Sequence, residues 1–403
     1  MTSHNELQKR FPLGAGVDLA SLSSDPYPHY RRLREREPVS WVPALNMYLV
    51  TRYDLVQTVL RDSVHYISGT DRSLVYDTFG THMLTTDGEL HDLYKQPLLP
   101  GFRPAAVRES MELAITAHVN RLIDGFIKSG RIELREHFAS RLPILTVLSL
   151  FGLPLENEPL LRRWYDAFEN ALANFTWQAN VRAEAATHVG DFHTYMQGHI
   201  DAKRKAPDDR LLSQLLAVNE PRKLADDEIR RNALIIFFGG ISTVEALILN
   251  TFYSLHRHPE TQDRVIKDLT LCAPLLDEVV RWLGPVQSAT RHVSQAATLA
   301  GVSFAPGDTV NCMLAAANQD PEVFTAPDQF NIDRPELRRH VGFAIGSHHC
   351  LGSHLAKLEA RIAVETLLQR LPHLRVDPAS SPVVSGHEFR QPKLLSMCWE
   401  PPA

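Results

Sequence analysis

The long apolar run at residues 233–249, ALIIFFGGISTVEALIL, constrains the fold more than any other stretch of the chain. It approaches the roughly 20 residues that a helix needs to cross a bilayer. However, it carries Ser242, Thr243 and Glu245 near its centre, and two arginines shortly precede it. No second run of this kind exists, and a helix that is apolar on all sides can also be the core helix of a large soluble protein. We therefore predict a buried core helix and no membrane association.

The composition of the 403 residues excludes several classes of protein. A hydrophobic fraction of 44% supports a large core, and the net charge of -5 lacks the basic excess typical of nucleic-acid binding. The four cysteines are scattered over the last third, unlike a disulfide scaffold, which favours a cytoplasmic protein with free thiols. The N-terminus is polar and has no signal-peptide core, so we expect residues 1–24 to form a flexible segment.

Most of the remaining chain has the periodicity of helices. Residues 111–127 place apolar side chains at helical spacing, and a helix beginning near residue 141 is expected to stop at Gly152 and Pro154. Strand-like pieces are few, namely a hairpin at residues 38–52 and alternating segments at residues 292–314. We predict a mainly α (α+β) single domain over residues 1–403, with a large helical region and a small antiparallel β region.

A loop rich in histidine and glycine precedes a helical pattern at residues 343–364, FAIGSHHCLGSHLAKLEARIAV. Tetrahedral zinc needs converging ligands, whereas the side chains of the neighbours His348, His349 and Cys350 diverge. Cys350 and His354 have helical i, i+4 spacing, but no second ligand cluster accompanies them. A single cysteine between glycines, just before a helix, instead suits a thiolate stabilised by backbone N–H groups. Such a thiolate suits a metal whose other ligands come from a macrocycle, as in heme.

The segment from Phe343 to Gly352 resembles the heme-binding loop of the cytochrome P450 family. The family pattern is Phe, a small residue, any, Gly, any, His or Arg, any, Cys, any, Gly, and only the glycine usual after the phenylalanine is changed, to Ala344. The resemblance implies that Cys350 is the axial thiolate ligand of heme b and that His348 contacts a heme propionate. It also implies the family fold, with heme between the long distal helix and the helix after the cysteine loop.

Further motifs extend the resemblance to roughly residues 25–395. Glu278-Val-Val-Arg281 matches the family's Glu-x-x-Arg motif, and Arg334 follows where the family completes a buried structural network. The residues that match the family's propionate partners are His91, Lys95, Arg291 and His348. Lys95 stands where the family has arginine, so the charge is kept but the bidentate fork is lost.

Within the long apolar run, Gly239-Gly240-Ile241-Ser242-Thr243 resembles the family's distal signature of a small residue, Gly, any, an acid and Thr. The resemblance implies that Thr243 assists dioxygen at the heme. Ser242 replaces the usual acid, and a hydroxyl passes protons without storing one near neutral pH. Glu245 either substitutes by way of water or is a structural partner inside the helix.

The resemblance implies a soluble bacterial-type monooxygenase, expected as a monomer, that oxidises a hydrophobic small organic molecule with dioxygen. Electrons would come from NAD(P)H through a separate ferredoxin reductase and ferredoxin, with Lys95, Lys357 and Arg361 as docking charges. Because of Ser242, the same fold working without a redox partner, as a peroxygenase, isomerase or dehydratase, is the alternative. A non-catalytic heme or zinc binder is a third hypothesis. The pocket is predicted to be lined by residues 78–82 and 389–391 and by Phe237, Phe238, Ile241, Val286, Ala289 and Thr290.

Overall fold

The computed structural model describes residues 4–71, 73–172, 174, 177–219 and 222–401. Its α-helices are α1 His4–Arg10, α2 Pro12–Ala15, α3 Leu19–Ser24, α4 Tyr27–Arg36, α5 Tyr53–Arg61, α6 Leu74–Phe79, α7 Gly88–Lys95, α8 Pro104–Asp124, α9 Leu142–Phe151, α10 Glu158–Leu172, α11 Ala179–Lys205, α12 Leu211–Leu216, α13 Asp226–Arg257, α14 Pro259–Lys267, α15 Cys272–Trp282, α16 Leu314–Ala317 and α17 Ser353–Arg370. Its strands are β1 Val39–Val42, β2 Met47–Val50, β3 Tyr66–Ile67, β4 Arg131–Glu133, β5 Ala289–Val293, β6 Ala297–Leu299, β7 Val302–Phe304, β8 Thr309–Cys312, β9 Arg375–Val376, β10 Val384–Ser385, β11 Gln391–Pro392 and β12 Ser396–Cys398.

The predicted core helix is the centre of α13. Helices α9, α11, α15 and α17 all pack against α13, so the apolar side chains of the run are covered by protein. Among the described residues α13 is the one helix long and apolar enough to cross a membrane, and most of its apolar stretch is buried. Its first turn carries Asp226, Asp227 and Glu228, which suit the positive end of the helix dipole. The prediction of a buried core helix is confirmed.

The β region is small, as predicted. The hairpin β1–β2 pairs Val39 with Val50 and joins a five-stranded sheet in the order β1-β2-β8-β5-β3. Within the described part of the chain, β2 and β8 pair parallel, and the other strand pairs are antiparallel. The helix α9 ends at Gly152, in the left-handed conformation, as its sequence indicates. The main hydrophobic core lies in the helical region around α13.

The N-terminal segment, predicted to be flexible, is helical in the structure. Residues 4–24 contain α1, α2 and α3, while residues 1–3 lie outside the described residues. Phe11, which immediately precedes α2, and Leu22, in α3, are both buried. The carboxylate of Glu37 accepts hydrogen bonds from the backbone N–H groups of Leu13, at 2.9 Å, and Gly14, at 3.2 Å.

Candidate active site

The cysteine loop is a tight turn closed by its own backbone. The N–H of Cys350 donates to the carbonyl of Phe343 at 2.9 Å, and the N–H of His349 donates to the carbonyl of Gly346 at 3.1 Å. Gly346 has φ +77°, and a Cβ there would lie 2.4 Å from the carbonyl oxygen of Leu60. Only glycine therefore fits that position. Ala344, which replaces the family glycine, is also in the left-handed region at φ 54°.

The Cys350 side chain faces an internal space. The side chain is accessible, yet many protein atoms surround it. This burial is the largest influence on the pKa of the Cys350 thiol, and it raises that pKa. The backbone N–H groups of Gly352 and Ser353, and the ammonium group of Lys95, lower that pKa. The predicted stabilisation of a thiolate at the start of α17 is therefore present, but burial outweighs it in the protein alone. Coordination to a metal deprotonates a thiol.

Four cationic or ionisable side chains lie together beside the loop. The rings of His91 and His348 are 4.4 Å apart, and both lie in the electrostatic range of Lys95. Arg291 is 5% exposed and makes no ion pair in the described part of the chain. An acidic side chain, Asp87, lies beside these four. Its carboxylate is 3.0 Å from His348 Nε2 and accepts hydrogen bonds from the backbone N–H groups of residues 68 and 69.

The predicted docking charges are engaged in other contacts. Lys95 is buried, and its Nζ donates to the carbonyls of Ser347 and, at 2.8 Å, His349. Lys95 is thus a support of the cysteine loop and not a surface charge. Lys357 pairs with Asp277 at 2.5 Å. Arg361 pairs with Glu365 on the same helix at 3.2 Å, so neither is a free cation.

The double glycine of α13 serves two different purposes. A Cβ at Gly240 would lie 3.2 Å from Val147 Cγ2, so Gly240 allows α9 to approach closely. A Cβ at Gly239 would meet nothing within 4 Å, and Gly239 is exposed in the middle of a buried helix. Thr243, one turn later, is half-buried and donates to the Gly239 carbonyl at 2.8 Å. These two residues therefore form an accessible stripe facing an internal space.

The predicted pocket residues separate into two sets. Phe238 contacts Phe79, at 5.3 Å between ring centroids, and Phe389, at 6.3 Å. Phe389 in turn forms a β-bridge with Val286. The end of α6 and the turn near residue 389 thus meet at Phe238, and Val286, after α15, is bridged to that turn. Ala289 and Thr290 are half-buried at the start of β5, a few residues after Val286.

Two of the predicted pocket residues, Phe237 and Ile241, lie on another face of α13. Phe237 packs against Phe151, at 4.9 Å, and Phe192, at 5.3 Å, so it belongs to the core between α9, α11 and α13. Ile241 lines a polar cavity together with Glu245. Residues at i and i+4 share a helix face, so both positions point away from the stripe of Gly239 and Thr243. In the sequence this helix is apolar on all sides, so the sequence alone does not indicate which face lines the pocket.

The carboxylate of Glu245 is engaged by two other side chains. Its carboxylate is 3% exposed, forms an ion pair with Arg135 at 2.5 Å and accepts a hydrogen bond from Gln391 at 3.0 Å. Ser242 Oγ is buried without a hydrogen-bond partner in the described part of the chain. These contacts favour a structural role for Glu245, the second of the two predicted possibilities.

The three residues of the predicted network are in contact. Glu278 accepts two hydrogen bonds from Arg281 and lies 3.6 Å from Arg334 Nε. Arg281 also donates to the carbonyls of Asn318, Pro327 and Gln329, which ties the irregular segment after α16 to α15. All three charged side chains are at most 3% exposed.

The residues present fit an iron porphyrin. An accessible but deeply placed cysteine, an accessible stripe on a core helix and a buried arginine with no direct ion pair among the described residues match a planar cofactor with a metal and carboxylates. No group of three or more His, Cys, Asp and Glu side chains that could hold a metal ion occurs among the described residues. Zinc therefore has no candidate site there, and His349 and His354 gain no ligand role.

Comparisons with known proteins agree with this geometry. Residues 38–396 match the sequence profile of the family described as Cytochrome P450. Cytochrome P450 monooxygenase PikC of Streptomyces venezuelae is 33% identical over 92% of this chain and 89% of its own length. Mycinamicin IV hydroxylase/epoxidase of Micromonospora griseorubida is 30% identical over 92% of this chain and 94% of its own. The crystal structure of P450BioI with hexadec-9Z-enoic acid ligated acyl carrier protein superimposes with TM-score 0.86 at 27% identity, covering 93% of this chain and 99% of that one.

The fold and the site thus define a heme-thiolate oxygenase. The chain belongs to the cytochrome P450 family and is a cytochrome P450 monooxygenase. The family brings heme with a cysteine thiolate ligand and dioxygen as co-substrate.

Proposed function

We propose that this monooxygenase oxidises a hydrophobic small organic molecule, with electrons delivered from NAD(P)H by a separate ferredoxin reductase and ferredoxin. The observation that carries the proposal is the inward-facing Cys350 at the start of α17, together with the accessible stripe of Gly239 and Thr243 on α13. We place the enzyme in the cytoplasm as a monomer, and gel filtration of the holoenzyme tests the oligomeric state.

The cofactor roles follow from the contacts. Cys350 is the metal ligand, and Phe343 and Gly352 hold the loop and the start of α17 around it. His91, Arg291 and His348 provide buried donors for the porphyrin carboxylates, and Lys95 holds the loop carbonyls while adding positive charge. The bound heme supplies dioxygen activation. The protein's own part is to bind and orient, to exclude water and to bring protons to the Thr243 side.

The substrate class follows from the cluster around Phe238. Phe79, Phe238, Phe389 and Val286 offer aromatic and aliphatic surface with few polar atoms, which suits a lipophilic molecule. A relative supports this class, a steroid C26-monooxygenase of Mycolicibacterium smegmatis that is 29% identical over 80% of this chain. A screen of steroids, macrolides and fatty acyl compounds for the spectral shift caused by displacement of water from the heme would identify binders.

The ligand assignment is tested by the spectrum of the reduced, CO-treated protein. We expect the strongly red-shifted band of a thiolate-bound heme, lost in Cys350→Ala. The matched control is Cys398→Ala, which removes a half-buried thiol from β12 and should leave the band intact. A band that persists in Cys350→Ala, or that is absent from the wild type, would contradict the assignment.

A second candidate function rests on Ser242. A heme-thiolate enzyme that works as a peroxygenase, isomerase or dehydratase needs no protons delivered with electrons, so an acid at position 242 is dispensable. Turnover assays separate the two functions. Product formation that requires NAD(P)H, ferredoxin, reductase and dioxygen supports the monooxygenase, and product formation without ferredoxin and reductase supports the second candidate.

A further inference from the structure

A surface groove of about 790 Å³ lies between α10 and α11. The two helices follow each other in the chain and pack along each other. None of the residues that line the groove belongs to the cysteine loop or to the cluster around Phe238. Its volume lies within the range of about 300–1,000 Å³ that is typical of small-molecule sites, so the groove is large enough for an organic ligand.

The floor of the groove holds a buried donor without an acceptor. Trp164 is 5% exposed and packs edge-on against Tyr195, with ring centroids 5.5 Å apart. Its indole N–H makes no hydrogen bond in the described part of the chain, and Nε1 is not among the fully enclosed polar atoms, so this N–H opens into the groove. By contrast, Trp399 is 4% exposed, and its indole N–H donates to the carbonyl of Ile127 at 2.9 Å. Buried indole N–H groups usually have a partner, so the acceptor for Trp164 lies outside the chain.

The charged side chains of the groove are mostly acidic. Three carboxylates, those of Asp166, Glu184 and Asp191, line it together with one guanidinium group, that of Arg163. Of these four residues only Asp191 has an ion-pair contact in the described part of the chain, with His188 at 3.5 Å. The groove therefore attracts a cation.

The cation that fits is organic and not a metal ion. Glu184 and Asp191 are seven residues apart on α11, which places them about 10 Å apart along the helix axis. No group of three or more His, Cys, Asp and Glu side chains among the described residues converges closely enough to hold a metal ion. The rings of Trp164 and Tyr195 lie in the same groove, and aromatic faces attract organic ammonium groups.

Donors and acceptors are separated across the groove. Arg163, next to Trp164 on α10, is exposed and makes no ion pair in the described part of the chain. Glu184 and Asp191 stand on α11, seven residues apart and so on one face of that helix. A ligand with an oxygen acceptor towards α10 and a positive charge towards α11 satisfies both sides.

We propose that the groove between α10 and α11 binds an organic ammonium ion that carries an oxygen acceptor. The oxygen accepts the indole N–H of Trp164, and the ammonium group lies beside Glu184 and Asp191. This site is separate from the heme pocket, and its existence does not depend on the proposed function.

The heme pocket is the competing place for such a ligand, because α10 also borders the cluster around Phe238. Tyr165 stacks on Phe238 with ring centroids 5.7 Å apart, and Phe168 lies 5.4 Å from Phe79. The experiment therefore needs one signal from the groove and another from the heme. The indole N–H of Trp164 supplies the first signal, and the ferric heme spectrum supplies the second.

The first test titrates the ¹⁵N-labelled, ferrous CO-bound holoenzyme with acetylcholine and with its uncharged carbon analogue, 3,3-dimethylbutyl acetate. Trp164→Phe assigns the indole signal of Trp164. We expect this signal to shift saturably, at a concentration at least about fivefold lower for acetylcholine than for the analogue. The indole signals of Trp282 and Trp399, whose N–H groups donate to backbone carbonyls, should stay in place. No shift with acetylcholine, or equal half-saturation with both compounds, would overturn the proposal.

The second test removes the charge of the groove. Glu184→Gln combined with Asp191→Asn changes two exposed side chains, so the reduced-CO band should be unchanged while the preference for acetylcholine is lost. The control is Asp201→Asn, an exposed acid on α11 outside the groove, which should keep the preference. An unchanged preference in the double variant, or an equal loss in the control, would contradict the site. A ferric heme band that shifts at the same acetylcholine concentrations in the wild type and the double variant would place the probe in the heme pocket instead.

Discussion

Glu278 accepts hydrogen bonds of 2.6 Å and 2.7 Å from the guanidinium of Arg281, and neither side chain has any exposed surface. Removal of one partner of a buried pair leaves an uncompensated charge and typically costs about 3–5 kcal/mol. Glu278→Ala leaves both Arg281 and Arg334 without their carboxylate. We expect a loss of about that size in the free energy of unfolding, measured by urea denaturation of the holoenzyme.

The control for this prediction is an equally well-formed pair on the surface. Arg264 donates two hydrogen bonds of 2.8 Å to Asp333, with side chains 47% and 57% exposed. Exposed pairs contribute about 0–1 kcal/mol, so Asp333→Ala should change stability by no more than that. Similar losses in Glu278→Ala and Asp333→Ala would show that burial does not decide the strength of this network.

The close approach of Gly346 to α5 gives a second prediction. Gly346→Ala combines a left-handed backbone with a Cβ only 2.4 Å from the Leu60 carbonyl oxygen. Gly301 has the same φ of +77° but open space around it. Gly301→Ala should therefore lower the free energy of unfolding only by the strain of a left-handed backbone, about 1–2 kcal/mol. Gly346→Ala should lower it clearly more and should also weaken the reduced-CO band. Equal thermal midpoints of the two variants would contradict the clash.

The sequence is sufficient for the parts of the site that lie on continuous motifs. The cysteine loop, the Glu278–Arg281 pair and the hairpin β1–β2 are each local, so spacing and turn residues determine them. The helical region and its core helix were likewise predictable, because apolar periodicity is a property of one segment at a time.

The rest depends on which elements meet. The partner of Glu245 is Arg135, in a π-helical turn that has no sequence pattern of its own. Phe237 and Phe238 are neighbours of similar chemistry, and only tertiary packing assigns one to the core and the other to the pocket.

The buried acid Glu359 on α17 gives a third prediction. Burial raises the pKa of its carboxyl from 4.5 to about 8, and Thr146 on α9 lowers it only in part. Below pH 4.5 both the folded and the unfolded chain keep this proton. As pH rises from 4.5 to about 8 the unfolded chain loses it while the folded chain holds it, so stability falls by about 1.4 kcal/mol per pH unit.

Glu359→Gln removes this titration. At pH 7 the variant should be more stable than the wild type by about 3 kcal/mol, and the difference should vanish near pH 4. Urea unfolding of both proteins across this pH range measures the effect. Parallel pH profiles of the two proteins would mean that Glu359 ionises in the folded protein at the same pH as in the unfolded chain.

Gly239 gives the last prediction, because it separates stability from activity. A helix-interior glycine costs about 1 kcal/mol relative to alanine, and a Cβ at Gly239 meets no atom within 4 Å. Gly239→Ala should therefore raise the thermal midpoint of the apoprotein. Gly240→Ala is the matched control, since its Cβ would press on Val147 at 3.2 Å, and its gain should be smaller or reversed. The same methyl group at Gly239 projects beside Thr243 into the internal space, so CO binding and dioxygen-dependent turnover of the holoenzyme should fall. A Gly239→Ala variant that is more stable and binds CO unchanged would place the heme away from this stripe of α13.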